Sequence, residues 1–266
     1  MRYCLFVLLC TCVLAACSNN IDATSENTTP TTETTDADEM PTEEVVVHPV
    51  YHGSLVLTQG DRTIYVDPYG GASLYSAFAA PDLVLITHTH PDHLDTATLS
   101  GLDLSNATLV APAAVMEADP NTTFAERHTL ANGESWDWNG INIEAIPAYN
   151  PPPKENFHPE GKFNGYVLDF DDDNERIYIS GDTEGVPAMR GLQDIDIAFV
   201  AMNLPYTMDI NQAAESVLAF APDVVYPYHY RNQDQTKSDV QAFREKITQS
   251  NPNITVRLED WYPIAQ

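Results

Sequence analysis

Apolar and polar positions first fall into a regular pattern after residue 44. Short apolar runs at 45–50, 54–58 and 63–66, with a Gln59-Gly60-Asp61 turn between the last two, read as strands of an antiparallel meander. Leu83-Val84-Leu85-Ile86 is continuous rather than alternating, which is the pattern of a strand covered on both faces. A helix is predicted over 96–102, a strand over 108–110 and a short helix over 113–118. The second half repeats the theme, with strands over 141–146, 165–170, 176–180, 195–201, 223–228 and 254–258. Helical spacing marks 210–219 and 239–249. Antiparallel strands first, then strands mixed with helices, predict sheets covered by helices.

The first 44 residues follow another logic. Arg2 precedes an apolar stretch over 5–16 that is too short to cross a membrane comfortably and reads as a signal sequence. It ends in Leu14-Ala15-Ala16-Cys17, which resembles the bacterial lipobox. That resemblance implies cleavage before Cys17 and a lipid on its thiol, with burial of acyl chains anchoring the protein to a membrane. An ordinary secretory cut after Ala16 would instead leave Cys17 as a spare thiol. Residues 18–44 are Thr-rich, with eight acidic side chains and no basic one, and predict a disordered tether. The expected organisation is therefore a signal peptide at 1–16, lipidated Cys17 and tether at 17–44, and one domain at 45–266. Its expected place is the bacterial cell envelope, lipid-anchored on the extracytoplasmic side, with Ser18 permitting outer-membrane sorting.

Charge narrows the function. The chain holds 39 acidic and 12 basic residues, and the domain beyond the tether keeps a net charge of −20. Such a surface repels a phosphate polymer, so no nucleic-acid partner is expected. All four cysteines lie at or before position 17, which leaves histidines and carboxylates as the ligands for any metal in the domain.

One cluster supplies them. His88-Thr89-His90-Pro91-Asp92-His93 puts three imidazoles and a carboxylate directly after the buried 83–86 strand. Residues two apart on extended chain share a side, so His88 and His90 can converge on one ion. Pro91 ends the strand direction, and the turn brings Asp92 and His93 toward a second. Imidazole and carboxylate suit zinc, and also manganese or iron. Asp182 and His229 each follow another strand. There is neither a Gly-x-Ser-x-Gly elbow nor a phosphate-cradling glycine loop, so a metal-activated water is the expected nucleophile.

With Tyr51-His52-Gly53-Ser54, Val66-Asp67-Pro68, the His88–His93 motif, Ser180-Gly181-Asp182-Thr183 and Tyr226-Pro227-Tyr228-His229-Tyr230, the chain resembles the metallo-β-lactamase fold superfamily. Ile146-Pro147-Ala148-Tyr149-Asn150, His158-Pro159 and Tyr206-Thr207-Met208-Asp209 look like a branch of bacterial hydrolases similar to the ascorbate-phosphate lactonases. The resemblance implies an α/β four-layer αββα sandwich of two mixed sheets covered by helices. It implies two divalent ions. His88 and His90 would hold the first, Asp92, His93 and His229 the second, and Asp182 both. Asp92 would also orient the attacking hydroxide and accept a proton. Asp67 would support the histidine loop, and His52 the site's edge or the first turn.

One position departs from the superfamily pattern. Asn150 stands where a third histidine of the first ion is usual. Asn150 could offer an oxygen, or His158 could reach in; otherwise His158 packs on the surface of a Pro-rich loop. Lys154 and Arg231, rare cations beside site loops, either meet an anionic substrate or pair with local carboxylates. The expected activity is hydrolysis of a small-molecule ester, lactone or phosphodiester outside the cytoplasm. The alternatives are a mononuclear iron or redox enzyme, a non-catalytic metal-binding surface lipoprotein, and a true β-lactamase. Loops 70–78 and 151–161 would set specificity.

Overall fold

The computed structural model describes residues 44–170 and 175–263. The expected signal, Cys17 and all but the last residue of the tether lie outside the described residues. Among the described residues thirteen strands form two mixed sheets, each in simple sequence order. The first sheet holds β1 (Val46–Tyr51), β2 (Ser54–Gln59), β3 (Arg62–Val66), β4 (Leu83–Leu85), β5 (Thr108–Ala111) and β6 (Glu126–Thr129). The second holds β7 (Ser135–Trp138), β8 (Ile141–Ala148), β9 (Phe163–Phe170), β10 (Glu175–Ile179), β11 (Ile197–Ala201), β12 (Val224–Tyr228) and β13 (Thr255–Val256).

Each sheet opens with antiparallel pairs and closes with parallel ones. β1–β2–β3 and β7–β8–β9–β10 are antiparallel, whereas β3 to β6 and β10 to β13 are parallel. Parallel neighbours need a crossover, and helices supply it. The crossovers after β4, β5, β10, β11 and β12 carry, in turn, α1 (Thr96–Ser100), α2 (Ala113–Ala118), α3 (Pro187–Arg190), α4 (Ile210–Phe220) and α5 (Val240–Ser250). Asp95, Asp209 and Asp239 cap α1, α4 and α5 by accepting backbone N–H groups of the first turn, a contribution of about 1 kcal/mol each. Every residue of β4 and β5 is buried, as their unbroken apolar runs require. α4 packs against both α3 and α5, and α3 meets β8 and α5 meets β13 of the second sheet. Among the described residues, no helix is long and apolar enough to cross a membrane.

One apolar core spans both sheets. Polar contacts tie the sheets together, among them Trp138 Nε1 donating to Thr108 Oγ1 at 3.3 Å and Tyr166 Oη donating to the Ile86 carbonyl at 2.8 Å. The second holds the root of the histidine loop. Parallel register aligns the strand ends, with Val66 beside Leu85 and Ala201 beside Tyr228. The segments after β3, β4, β10 and β12 carry Asp67, His88–His93, Asp182 and His229. Carboxyl ends of parallel strands are where such folds place their sites.

Several elements differ from the sequence reading, which predicted no helix where the four-residue α3 stands. β6 and β7, with sequences Glu-Arg-His-Thr and Ser-Trp-Asp-Trp, went unread because each is an edge strand with exposed positions and no apolar run. The final strand, expected over 254–258, is only Thr255–Val256.

Candidate metal centre

The backbone prepares the site before any side chain is considered. Gly181 has φ 57°, and a Cβ there would lie 3.0 Å from both the Asn164 carbonyl and Thr87 Cβ, so glycine lets the Asp182 turn sit against the histidine loop. Gly53 plays the same part for the imidazoles. A Cβ on it would come within 3.0 Å of His93 Cε1 and 3.1 Å of His229 Cδ2.

Asp67 is the buried anchor. Its carboxylate accepts the Thr87 N–H, the Thr87 hydroxyl and His93 Nδ1–H, each at 2.7 Å. Because the Thr87 hydroxyl proton goes to Asp67, Thr87 Oγ1 accepts from His88 Nδ1 at 2.9 Å. Asn150 fixes a third ring. Its amide nitrogen donates to the Tyr206 carbonyl at 2.8 Å, which turns its oxygen toward His158 Nδ1. The oxygen is thus an acceptor for His158 rather than a donor atom in the cluster. His88, His93 and His158 each have Nδ1–H tied back, which leaves the Nε2 lone pair free to bind a metal.

These nitrogens converge on Asp182. Its Oδ2 lies 4.0 Å from His88 Nε2 and 3.5 Å from His158 Nε2. Its Oδ1 lies 3.5 Å from His93 Nε2 and 3.4 Å from His229 Nε2. His90 Nδ1 is 3.0 Å from His88 Nε2. Asp92 Oδ2 is 3.4 Å from His229 Nε2 and 3.2 Å from His52 Nε2. The donors form two main groups that share Asp182, one with His88, His90 and His158, the other with His93 and His229. His52, Asp92 and His229 form a third, overlapping group.

Electrostatics favours ionised carboxylates beside the neutral rings of His88, His90 and His52, whereas His93 is drawn the other way. Burial keeps His88 well below the usual imidazole range and lowers His90 as well. Burial works against ionised Asp182 and Asp92, yet the surrounding histidines outweigh it and hold both well below the usual carboxylate range. Burial also opposes a charged His93, but Asp182 and Asp67 overcome it and lift this ring to about 10. Burial and the neighbouring His229 bring His52 down to about 4. His158 Nε2 and Asp182 Oδ1 are buried without a hydrogen-bond partner. Orphaned donor atoms of this kind, amid nitrogen and carboxylate oxygen, fit one or more divalent cations.

The two remaining histidines and the two cations beside the site loops stand in different surroundings. His48 meets Thr58 Oγ1 at 2.9 Å, and His128 stacks on Trp136 at 4.0 Å; neither joins the cluster. Lys154 pairs with Glu184 at 2.6 Å. Arg231 lines a cavity of about 510 Å³ that also exposes His90, Asp92 and Asp182, walled by Tyr69, Phe157 and Tyr206. The sequence reading missed Tyr262, whose hydroxyl meets His52 Nδ1 and the Arg231 N–H, each at 2.9 Å. It lies past the last strand, where no periodicity marks it.

Comparison with known proteins supplies the family. Residues 47–229 match the family model described as Beta-lactamase superfamily domain. A crystal structure from Parabacteroides distasonis, named provisionally as a metal-dependent hydrolase, is 35% identical, with a TM-score of 0.71 over 82% of this chain and 94% of that one. A UPF0173 metal-dependent hydrolase of Thermoplasma acidophilum is 28% identical over 203 residues, 73% of this chain and 88% of its own. The metallo hydrolase Igni18 of Ignicoccus hospitalis shares the fold at 22% identity, with a TM-score of 0.68 over 81% of this chain and 94% of that one. The chain belongs to the beta-lactamase superfamily, among its metal-dependent hydrolases.

Proposed function

We propose that this protein is a two-metal hydrolase that cleaves a small-molecule ester, lactone or phosphodiester outside the cytoplasm. The observation that carries the reading is Asp182, whose two oxygens face two separate imidazole groups. His88, His90 and His158 would hold one ion and His93, His229 and Asp92 the other, with Asp182 between them. Divalent ions here, zinc first among them, would supply a water acidic enough to ionise near neutral pH.

The chain's own residues do the rest. Asp92 borders the cavity, ionised and held by His52 and His229, so it can orient the attacking water and take up a proton. His52 is braced from behind by the Tyr262 hydroxyl and keeps Asp92 in place. Tyr69, Phe157 and Tyr206 on the cavity wall would limit the access of bulk water to the acyl or phosphoryl centre. Location outside the cytoplasm is supported by Leu14-Ala15-Ala16-Cys17, and labelled palmitate should be incorporated by the wild type but not by Cys17→Ser.

The test is metal quantification followed by a hydrolysis screen of lactones, esters, phosphodiesters, thioesters and β-lactams. Turnover that chelation abolishes and zinc restores is expected. Uniform inactivity with two ions bound would sink the reading, and one redox-active iron per chain without hydrolysis would replace it.

A further inference from the structure

Cations are scarce in this acidic domain, and several are neutralised locally. Lys154 pairs with Glu184, Arg176 with Asp169 and Arg190 with Glu215. Arg231 differs. No carboxylate pairs with it among the described residues, and it lines the same cavity as Asp92 and Asp182. Its position is fixed from three sides. The backbone N–H donates to the Tyr262 hydroxyl at 2.9 Å, Nη1 donates to the Tyr51 hydroxyl at 3.2 Å, and Cζ sits 4.1 Å from the Tyr262 ring centroid. Lys237 lies 4.7 Å from the same ring, and its backbone bridges to that of Arg231. Arg231 also follows His229 by two residues, so the turn that presents an imidazole to the metal centre sets where the guanidinium stands.

A guanidinium carries five N–H donors, and one is used on Tyr51. A cation held rigidly on a cavity wall without a counter-ion is a receptor for an anion, and its planar fork matches a carboxylate. Among the described residues Arg231 is the one Lys or Arg on the wall, which suits a single negative charge on the part of a substrate away from the metal centre. The surrounding acidic surface repels anions at long range, which makes a local cation the requirement for docking one. Resting on the hydrolase reading of the same cavity, we infer that the substrate carries a carboxylate at its non-reacting end and that Arg231 binds it, so Arg231 determines specificity.

Equilibrium binding tests this without turnover. Wild-type, metal-loaded protein is titrated calorimetrically with straight-chain dicarboxylates from malonate to adipate and with their monoamides. At least one dicarboxylate should bind about tenfold or more tightly than its monoamide, as a charge-assisted hydrogen bond predicts. Arg231→Gln should bring that ratio close to one with metal content unchanged, Arg231→Lys should keep part of it, and Lys246→Gln on exposed α5 should leave it intact. A ratio near one in the wild type, or one that survives in Arg231→Gln, overturns the inference. Turnover in the hydrolysis screen with no carboxylate preference sinks this subsite alone. Carboxylate preference without turnover sinks the hydrolase reading alone.

Discussion

The two corners of the centre are built differently. His229 enters the second corner directly after β12 and His93 from the turn that ends the histidine loop, both close beneath Gly53, with Asp67 behind His93. The first corner takes His88 and His90 from the same loop but completes its set with His158. That residue stands on an irregular segment between β8 and β9, where Asn150 orients it. Both corners draw on the histidine loop, but the second is completed by His229 at a strand end and the first by His158 on an irregular segment. Strand ends give a ligand a fixed direction, whereas a loop residue needs its own supporting hydrogen bonds to reach the same precision.

The largest effect should come from the residue both corners share. Asp182→Ala should lose both ions, and zinc analysis after dialysis should find well under one per chain with hydrolysis abolished. Next come substitutions that separate the corners. His158→Ala should release only the first ion and His229→Ala only the second, each weakening its ion by more than the ~100-fold typical of lost supporting contacts. If His158→Ala released both ions, the corners would not be independent.

How much of this contrast could be read in the sequence follows the same division. His88, His90, Asp92 and His93 follow an unbroken apolar run, and Asp182 and His229 follow two more, so periodicity located the segments that carry them. His158 follows no strand. Its neighbours Pro159 and Asn156 say loop, and only the fold shows Asn150 turned away from the cluster and onto His158. Tyr262 was illegible for a related reason, since its role arises from meeting His52 and Arg231 across the chain. β6 and β7 escaped because edge strands need no apolar face, although the two-sheet architecture itself was legible from the buried strands.

Smaller perturbations sharpen the comparison. Asn150→Leu removes the acceptor for His158 Nδ1 and should weaken the first ion by about 10- to 100-fold, leaving the second in place. Gly53→Ala should do the reverse, roughly tenfold, by pushing on His93 and His229. Competitive chelator titrations resolve both. The smallest effect belongs to Lys154→Gln. Its pair with Glu184 is partly solvent-exposed, so denaturant unfolding should register about 1 kcal/mol or less, with unchanged metal content.

Anomalous diffraction at the zinc edge tests the central claim most directly. Two peaks about 3.5–4 Å apart are predicted, one in contact with His88, His90 and His158, the other with His93, His229 and Asp92, and Asp182 touching both. A single peak, or two peaks with His158 outside bonding distance of either, would contradict the account.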